Sequence, residues 1–63
     1  MFRTFNTHLG DVVVNTNNIL SVQESPTGGS TVIMVGGMAF ECSTAFEHVR
    51  TDLDSRYGRT LNG

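Results

Sequence analysis

The sequence predicts an α+β domain in which a small antiparallel sheet of four to five strands is followed by one C-terminal helix. Short segments rich in β-branched and aromatic residues alternate with Gly, Asn and Pro turns, which is typical of strands. A glycine pair, Gly36–Gly37, separates two of these segments. After Ser43 the apolar residues change to helical spacing. A length of 63 residues suffices for one domain, so residues 1–63 are taken as a single unit.

The strand predictions depend on where turn-forming residues interrupt the apolar segments. Gly10 is free to adopt a positive φ, and residues 16–18 form a polar turn. Pro26 presets φ ahead of the glycines at 28–29, which permit a tight reversal. The Gly36–Gly37 pair predicts a two-residue hairpin, because primed turns need positive φ at their central positions. The expected strands cover about 2–7, 12–15, 19–24, 30–35 and 38–42.

The C-terminal segment predicts a helix over about 45–57, followed by a tail at 59–63. Thr44 and Glu47 have the spacing of a capping box, in which each side chain bonds a free backbone N–H of the first turn. Gly58 suits the position that ends a helix in a left-handed residue. One face of the helix is apolar, at spacings of three and four: Phe46, Val49, Leu53 and Tyr57.

Composition excludes several classes of function. The net charge is −2, and the basic side chains are four arginines with no lysine, which disfavours nucleic-acid or membrane-surface binding. The longest apolar run is four residues, too short for a membrane span or an export signal. Cys42 is the one cysteine, so no intramolecular disulfide is available. A lone thiol and no export signal favour the cytoplasm. The pattern shows no metal-binding spacing, no catalytic set and no cofactor fingerprint.

The apolar strands do not alternate with polar residues, as a strand facing water on one side should. One helix covers one face of a small sheet, so the second apolar face needs another partner. Chains this short also need a stabilising device beyond their own core. We therefore expect a homo-oligomer, most simply a two-fold dimer packed face to face or paired at strand edges. The interface residues we expect are Val13, Ile33 and Val35.

A ligand site is expected around the helix end and the first turn. Arg56 and Arg59 flank Tyr57, and arginine forks bind phosphate or carboxylate while a tyrosine ring can stack on a base. His8 adds a titratable group in a turn. Basic residues at a helix end also complement the helix dipole without any ligand. The pattern favours a non-enzymatic module that binds a small anionic or nucleotide-type ligand at subunit interfaces, as accessory proteins of phages do.

Residues 9–49 resemble the short FlbD-like proteins of flagellar and swarming operons. The resemblance rests on the following positions: Gly10, Val12 to Asn15, Ile19, Val22, Glu24, Pro26, Thr31 to Ile33, Gly37 and the Ser43–Thr44 pair. It implies a small strand-rich fold, without catalytic residues, in a phage-encoded relative of that family. It also implies the alternative function, a protein-interaction adaptor that holds a host protein against an apolar sheet face or an edge strand.

Overall fold

A computed structural model describes residues 1–56 and contains five strands and one α-helix. The α+β class and the C-terminal position of the helix are therefore confirmed. Tyr57, Arg59 and the predicted tail lie outside the described residues. The elements in chain order are β1 (Phe2–Thr7), β2 (Gly10–Asn15), a 3₁₀ turn (Thr16–Asn18), β3 (Ile19–Glu24), β4 (Ser30–Met34), β5 (Ala39–Cys42) and α1 (Phe46–Arg56).

The five strands form two small antiparallel sheets, where we expected one sheet of four to five strands. β1 pairs with β2, and β3, β4 and β5 form a three-stranded meander. The two sheets meet where β1 ends and β5 ends. There the Ser43 amide and hydroxyl both donate to the Asn6 carbonyl, at 2.9 and 3.0 Å. No ladder pairs β1 with β5 in the described residues, so the strands form two sheets instead of one.

The core lies between the two sheets and is closed by α1. Its buried members are Phe5, Ile19, Val22, Val32, Cys42, Val49 and Leu53. Val49 and Leu53 are fully buried and Phe46 packs against the cluster, which confirms the apolar helix face over the described residues. Fully burying an aliphatic or aromatic side chain contributes about 1.5–3 kcal/mol, so these two helix residues account for much of the docking of α1.

An ion pair also fixes the helix to β1. The Arg3 guanidinium Nε lies 2.5 Å from the Asp52 carboxylate, and the side chains of both residues are mostly buried. The same guanidinium stacks over the Phe5 ring at 4.3 Å from its centroid. The pair joins the start of β1 to the C-terminal half of α1, while Asn6 near the end of β1 bonds Ser43 just before α1, so the two elements run in opposite directions.

The capping-box prediction is wrong. The Val49 amide donates to the Ala45 carbonyl at 3.1 Å, so Ala45 accepts the first intrahelical bond and is the cap residue. Thr44 lies one residue earlier, and its carbonyl accepts a bond from the buried Ser30 hydroxyl at 2.6 Å. This bond holds Thr44 against β4, so the local sequence signature yields to a tertiary contact.

The β4–β5 connection contains four residues, Val35–Met38, and the predicted two-residue loop is wrong. The Met34 amide donates to the Met38 carbonyl at 2.7 Å, which encloses Val35, Gly36 and Gly37. Both glycines do adopt positive φ, at 100° and 95°, as predicted. Val35 joins the loop because its amide donates to the Asn18 carbonyl at 2.7 Å, which ties the turn to the start of β3.

Candidate functional site

An apolar depression with a volume of about 590 Å³ runs between β2 and the β4–β5 turn. We call it the apolar groove. Its floor is formed by Val12 and Val14 of β2 and by Met34 and Phe40 of the second sheet. All four pack against the buried core while remaining partly exposed. The groove is therefore a side of the core that the described chain leaves open.

Strand alternation explains the run of three valines. Successive side chains of a strand point to opposite faces, so Val12 and Val14 turn inward to the groove floor while Val13 turns outward. Val12 lies opposite the buried Phe5 of β1, and Val13 lies opposite the exposed Thr4. The apolar character of both faces, noted in the sequence, is thus a real property of β2.

Three exposed apolar side chains form the groove rim. Leu9 is 89% exposed, Met38 is 77% exposed and Val35 is 63% exposed. Leu9 projects from the β1–β2 turn, where the Thr7 hydroxyl accepts from the Leu9 amide at 3.2 Å and donates to the Gly10 carbonyl at 2.6 Å. Large apolar side chains next to an apolar depression are typical of interaction surfaces.

The lining of the groove is nearly free of charge. Asp11 is the one ionisable side chain among its described lining residues, and Asn18 and Thr7 are the other side chains with polar groups. A surface with this composition recognises a partner by burying apolar area rather than by charge.

The three predicted interface residues lie on three different surfaces. Val35 is on the groove rim. Val13 is 61% exposed on the outer face of the β1–β2 sheet. Ile33 lies on the outer face of the second sheet, because its neighbour Val32 is fully buried on the inner face. One flat interface does not include all three.

A second, polar cleft of about 470 Å³ lies on the other side of the β1–β2 turn. His8, Gly29, Glu41 and Ser43 are among its lining residues. The Glu41 carboxylate accepts a bond from the Ser25 hydroxyl at 2.5 Å, which fixes it beside the loop at 25–29. The loop is the turn that the sequence predicts, since the Gly28 amide donates back to the Ser25 carbonyl at 3.0 Å.

The structure separates His8 from Arg56. His8 lies next to the end of β1 that meets Ser43, just before α1 begins. Arg56 is the last residue of α1, whose 11 residues span about 16 Å. The other two predicted ligand contacts, Tyr57 and Arg59, lie outside the described residues. Within one chain, the helix therefore carries the Arg56 backbone about 16 Å along its axis from the end that lies near His8.

Over residues 1–56, no group of three His, Cys, Asp or Glu side chains is placed to hold a metal ion. The Cys42 thiol is buried, and its sulfur lies 3.9 Å from the Thr44 carbonyl oxygen. The same part of the chain has no helix with the length and apolar character needed to cross a bilayer.

Sequence reasoning missed Leu9 and Met38. The sequence pattern predicts Leu9 in a turn and Met38 in a strand, yet each is an apolar residue next to a glycine at the tip of a hairpin. Turn tips usually carry polar residues. The presence of apolar residues at two hairpin tips in one short chain is the sequence signal from which the groove could have been predicted.

No family model matches the chain, and neither a curated protein nor a solved structure gives a match.

Proposed function

We propose that the protein is a non-enzymatic, homo-oligomeric binding module in which two copies cover each other's apolar groove. The observation that carries the proposal is the highly exposed rim of Leu9 and Met38 beside an apolar floor. Exposing such an apolar surface to water is unfavourable in free energy. The core of a 63-residue chain is small, so little buried area is available to offset this.

The shape of the groove supports a second copy as the occupant. A two-fold interface uses the same patch on both subunits, so the patch must be complementary to itself. Leu9 projects outward and the floor recedes, which gives one patch both a knob and a hole. Each aliphatic side chain that becomes fully buried contributes about 1.5–3 kcal/mol to the free energy of association. In a two-fold interface every rim residue is buried in both copies, so it contributes twice.

The ligand in this proposal is a small anion of nucleotide type, bound where the copies meet. His8 supports it, because His8 lies on the polar cleft while its neighbour Leu9 lies on the groove rim. Association through Leu9 brings a His8 from each copy to the edge of the interface. The proposal keeps Arg56 as a further contact from the second copy, because the helix carries the Arg56 backbone away from the end of α1 that lies near His8. The proposal includes a cytoplasmic location, which the single buried thiol supports because a reducing compartment keeps such a thiol free.

Size-exclusion chromatography with light scattering tests the assembly. We expect the native chain to elute as a dimer at micromolar concentration and the Met38→Ser variant to elute as a monomer. Leu20→Ser is the matched control, since Leu20 is 62% exposed and is not among the groove residues. The control is expected to remain dimeric. A native chain that is monomeric throughout this range contradicts the proposal.

Thermal-shift measurements test the ligand. A ligand that binds the native state raises the melting temperature, by an amount that grows with its concentration. We expect a nucleotide or a related anion to raise it, and His8→Ala to reduce the shift without changing the melting temperature of the free protein, because His8 is exposed. If no nucleotide or related anion in a broad panel raises the melting temperature at millimolar concentration, the ligand part of the proposal is wrong. Dimer formation is tested separately by light scattering.

The second candidate function is a protein-interaction adaptor, as the FlbD-like resemblance implies. The observation that favours it is the position of the apolar groove beside β2, a strand that pairs on one side with β1. Such surfaces accept an extended segment of another protein as an added strand. A monomeric native chain that recovers one stoichiometric protein from its host supports the adaptor over the self-assembling module.

A further inference from the structure

We infer that two copies join edge to edge through β2, in an antiparallel register centred on Val13, so that the two β1–β2 hairpins form one four-stranded sheet. The inference rests on the proposed self-association and specifies its geometry. It commits to a second copy of this chain as the occupant of the apolar groove.

The first support is the open edge of β2. Over the described residues, β2 pairs with β1 alone, and no other element donates or accepts a backbone bond at residues 11–14. In an antiparallel pair, alternate residues turn their N–H and C=O groups away from the partner strand. These groups of β2 form a row that a further strand can bond.

The second support is the absence of protection on this edge. Proteins guard open edges with charges, prolines, bulges or covering elements. The other edge strand β3 has a bulge between Ile19 and Ser21 in its pairing with β4, and α1 packs beside β3. The last residue of β5 is followed by Ser43, which bonds β1. β2 instead presents Val12–Val14, three β-branched residues with regular pairing and no bulge.

The third support is the fit of β2 to its own copy. With Val13 opposite Val13 of the second copy, Val12 lies opposite Val14, so every valine meets a valine. In the same register Asp11 lies opposite Asn15, so the acidic side chain meets an amide donor instead of a second carboxylate. Centring the axis on Val12 or Val14 loses these matches, because it places Asp11 opposite Val13 or opposite Asn17.

This register also brings the two apolar grooves together. Residues opposite each other in a sheet share a face, so Val12 and Val14 of both copies lie together on the inner side. The two groove floors then become continuous across the axis, with the rims of both copies around them. The outer face carries Val13, the predicted interface residue that the groove itself does not include.

Cysteine cross-linking tests the register. In a chain with the buried Cys42 replaced by Ala, Val13→Cys places two thiols across the axis at a Cα separation of about 4.5–5.5 Å, within disulfide range. Thr4→Cys is the matched control, because Thr4 is exposed and lies directly opposite Val13 on β1. In the four-stranded sheet the two Thr4 positions are three strand spacings apart, about 14 Å, which is too far.

We expect Val13→Cys to form a covalent dimer under mild oxidation at least roughly tenfold faster than Thr4→Cys. A second variant, Val13→Glu, places like charges opposite each other and is expected to weaken the dimer by about tenfold, with the monomer fold retained because Val13 is exposed. If light scattering shows dimers but Val13→Cys cross-links no faster than the control, the register is wrong and the self-association stands. If every variant and the native chain are monomeric, both the register and the proposed function are wrong.

Discussion

Replacing Leu53 with Ala tests whether α1 is an integral part of the core. Leu53 is fully buried, and it and Val49 are the helix residues of the buried core. Leu→Ala substitutions at such sites cost about 2.7–5 kcal/mol, the sum of lost transfer energy and the cavity left behind. The strands and the single helix leave little surrounding structure to collapse into the space, so we expect a loss of about 3 kcal/mol.

The loss is large for this chain. Free energies of unfolding scale at about 0.05–0.15 kcal/mol per residue, which gives about 3–9 kcal/mol for 63 residues. In a urea titration followed by circular dichroism, with a slope of about 1 kcal/mol/M for a small domain, the midpoint is expected to fall by about 3 M. Native and variant chains are compared at one protein concentration, because self-association would shift both curves.

Thr51→Ala is the matched control for this measurement. Thr51 lies on the same helix and is exposed. Its replacement removes no buried surface and slightly improves helix propensity, so we expect a change within about 0.5 kcal/mol. If Leu53→Ala changes the free energy of unfolding by no more than this control does, the helix does not close the core and the described packing is incorrect.

Three further predictions concern single contacts. Gly29→Ala is expected to lower the free energy of unfolding by about 1–3 kcal/mol in thermal denaturation, because a Cβ at this position overlaps the Cys42 carbonyl. An unchanged melting temperature would show that the loop does not lie against β5. Asp52→Asn is expected to cost about 1–3 kcal/mol in urea unfolding through loss of its charged bond to Arg3, and a neutral result would mean that the pair is fully solvated. Leu9→Ser is expected to leave the unfolding of the dilute monomer unchanged, since Leu9 is 89% exposed, and to abolish the dimer in light scattering.

The sequence is a good guide where structure follows from local periodicity. Val49 and Leu53 repeat at helical spacing, and the structure buries both. Gly36 and Gly37 have the positive φ expected of a hairpin turn. Both features depend on residues close together in the chain, so the local pattern and the final structure agree.

Features set by distant contacts were not predictable in the same way. The Ser30–Thr44 bond moves the helix start to Phe46 in spite of a good capping signature at Thr44 and Glu47. The division into two sheets depends on how β1 meets β5, which a pattern within either strand does not encode.

The apolar groove is the clearest case of this limit. Its rim brings Leu9 and Met38 together from hairpin tips that are far apart in the sequence. The run Val12–Val14 signalled that β2 is apolar on both faces, but it could not show that one face borders a depression and the other faces solvent. Expecting an uncovered apolar surface was justified by composition, whereas its location required the fold.

Sedimentation equilibrium of the native chain tests the central claim, that two copies associate through the apolar groove. From low to high micromolar concentration we expect the apparent mass to rise from that of the 6.9 kDa chain toward twice that value. The same experiment on Leu9→Ser is expected to give the monomer mass throughout. A native chain that keeps the monomer mass across the range, or a Leu9→Ser variant that associates as the native chain does, contradicts the claim.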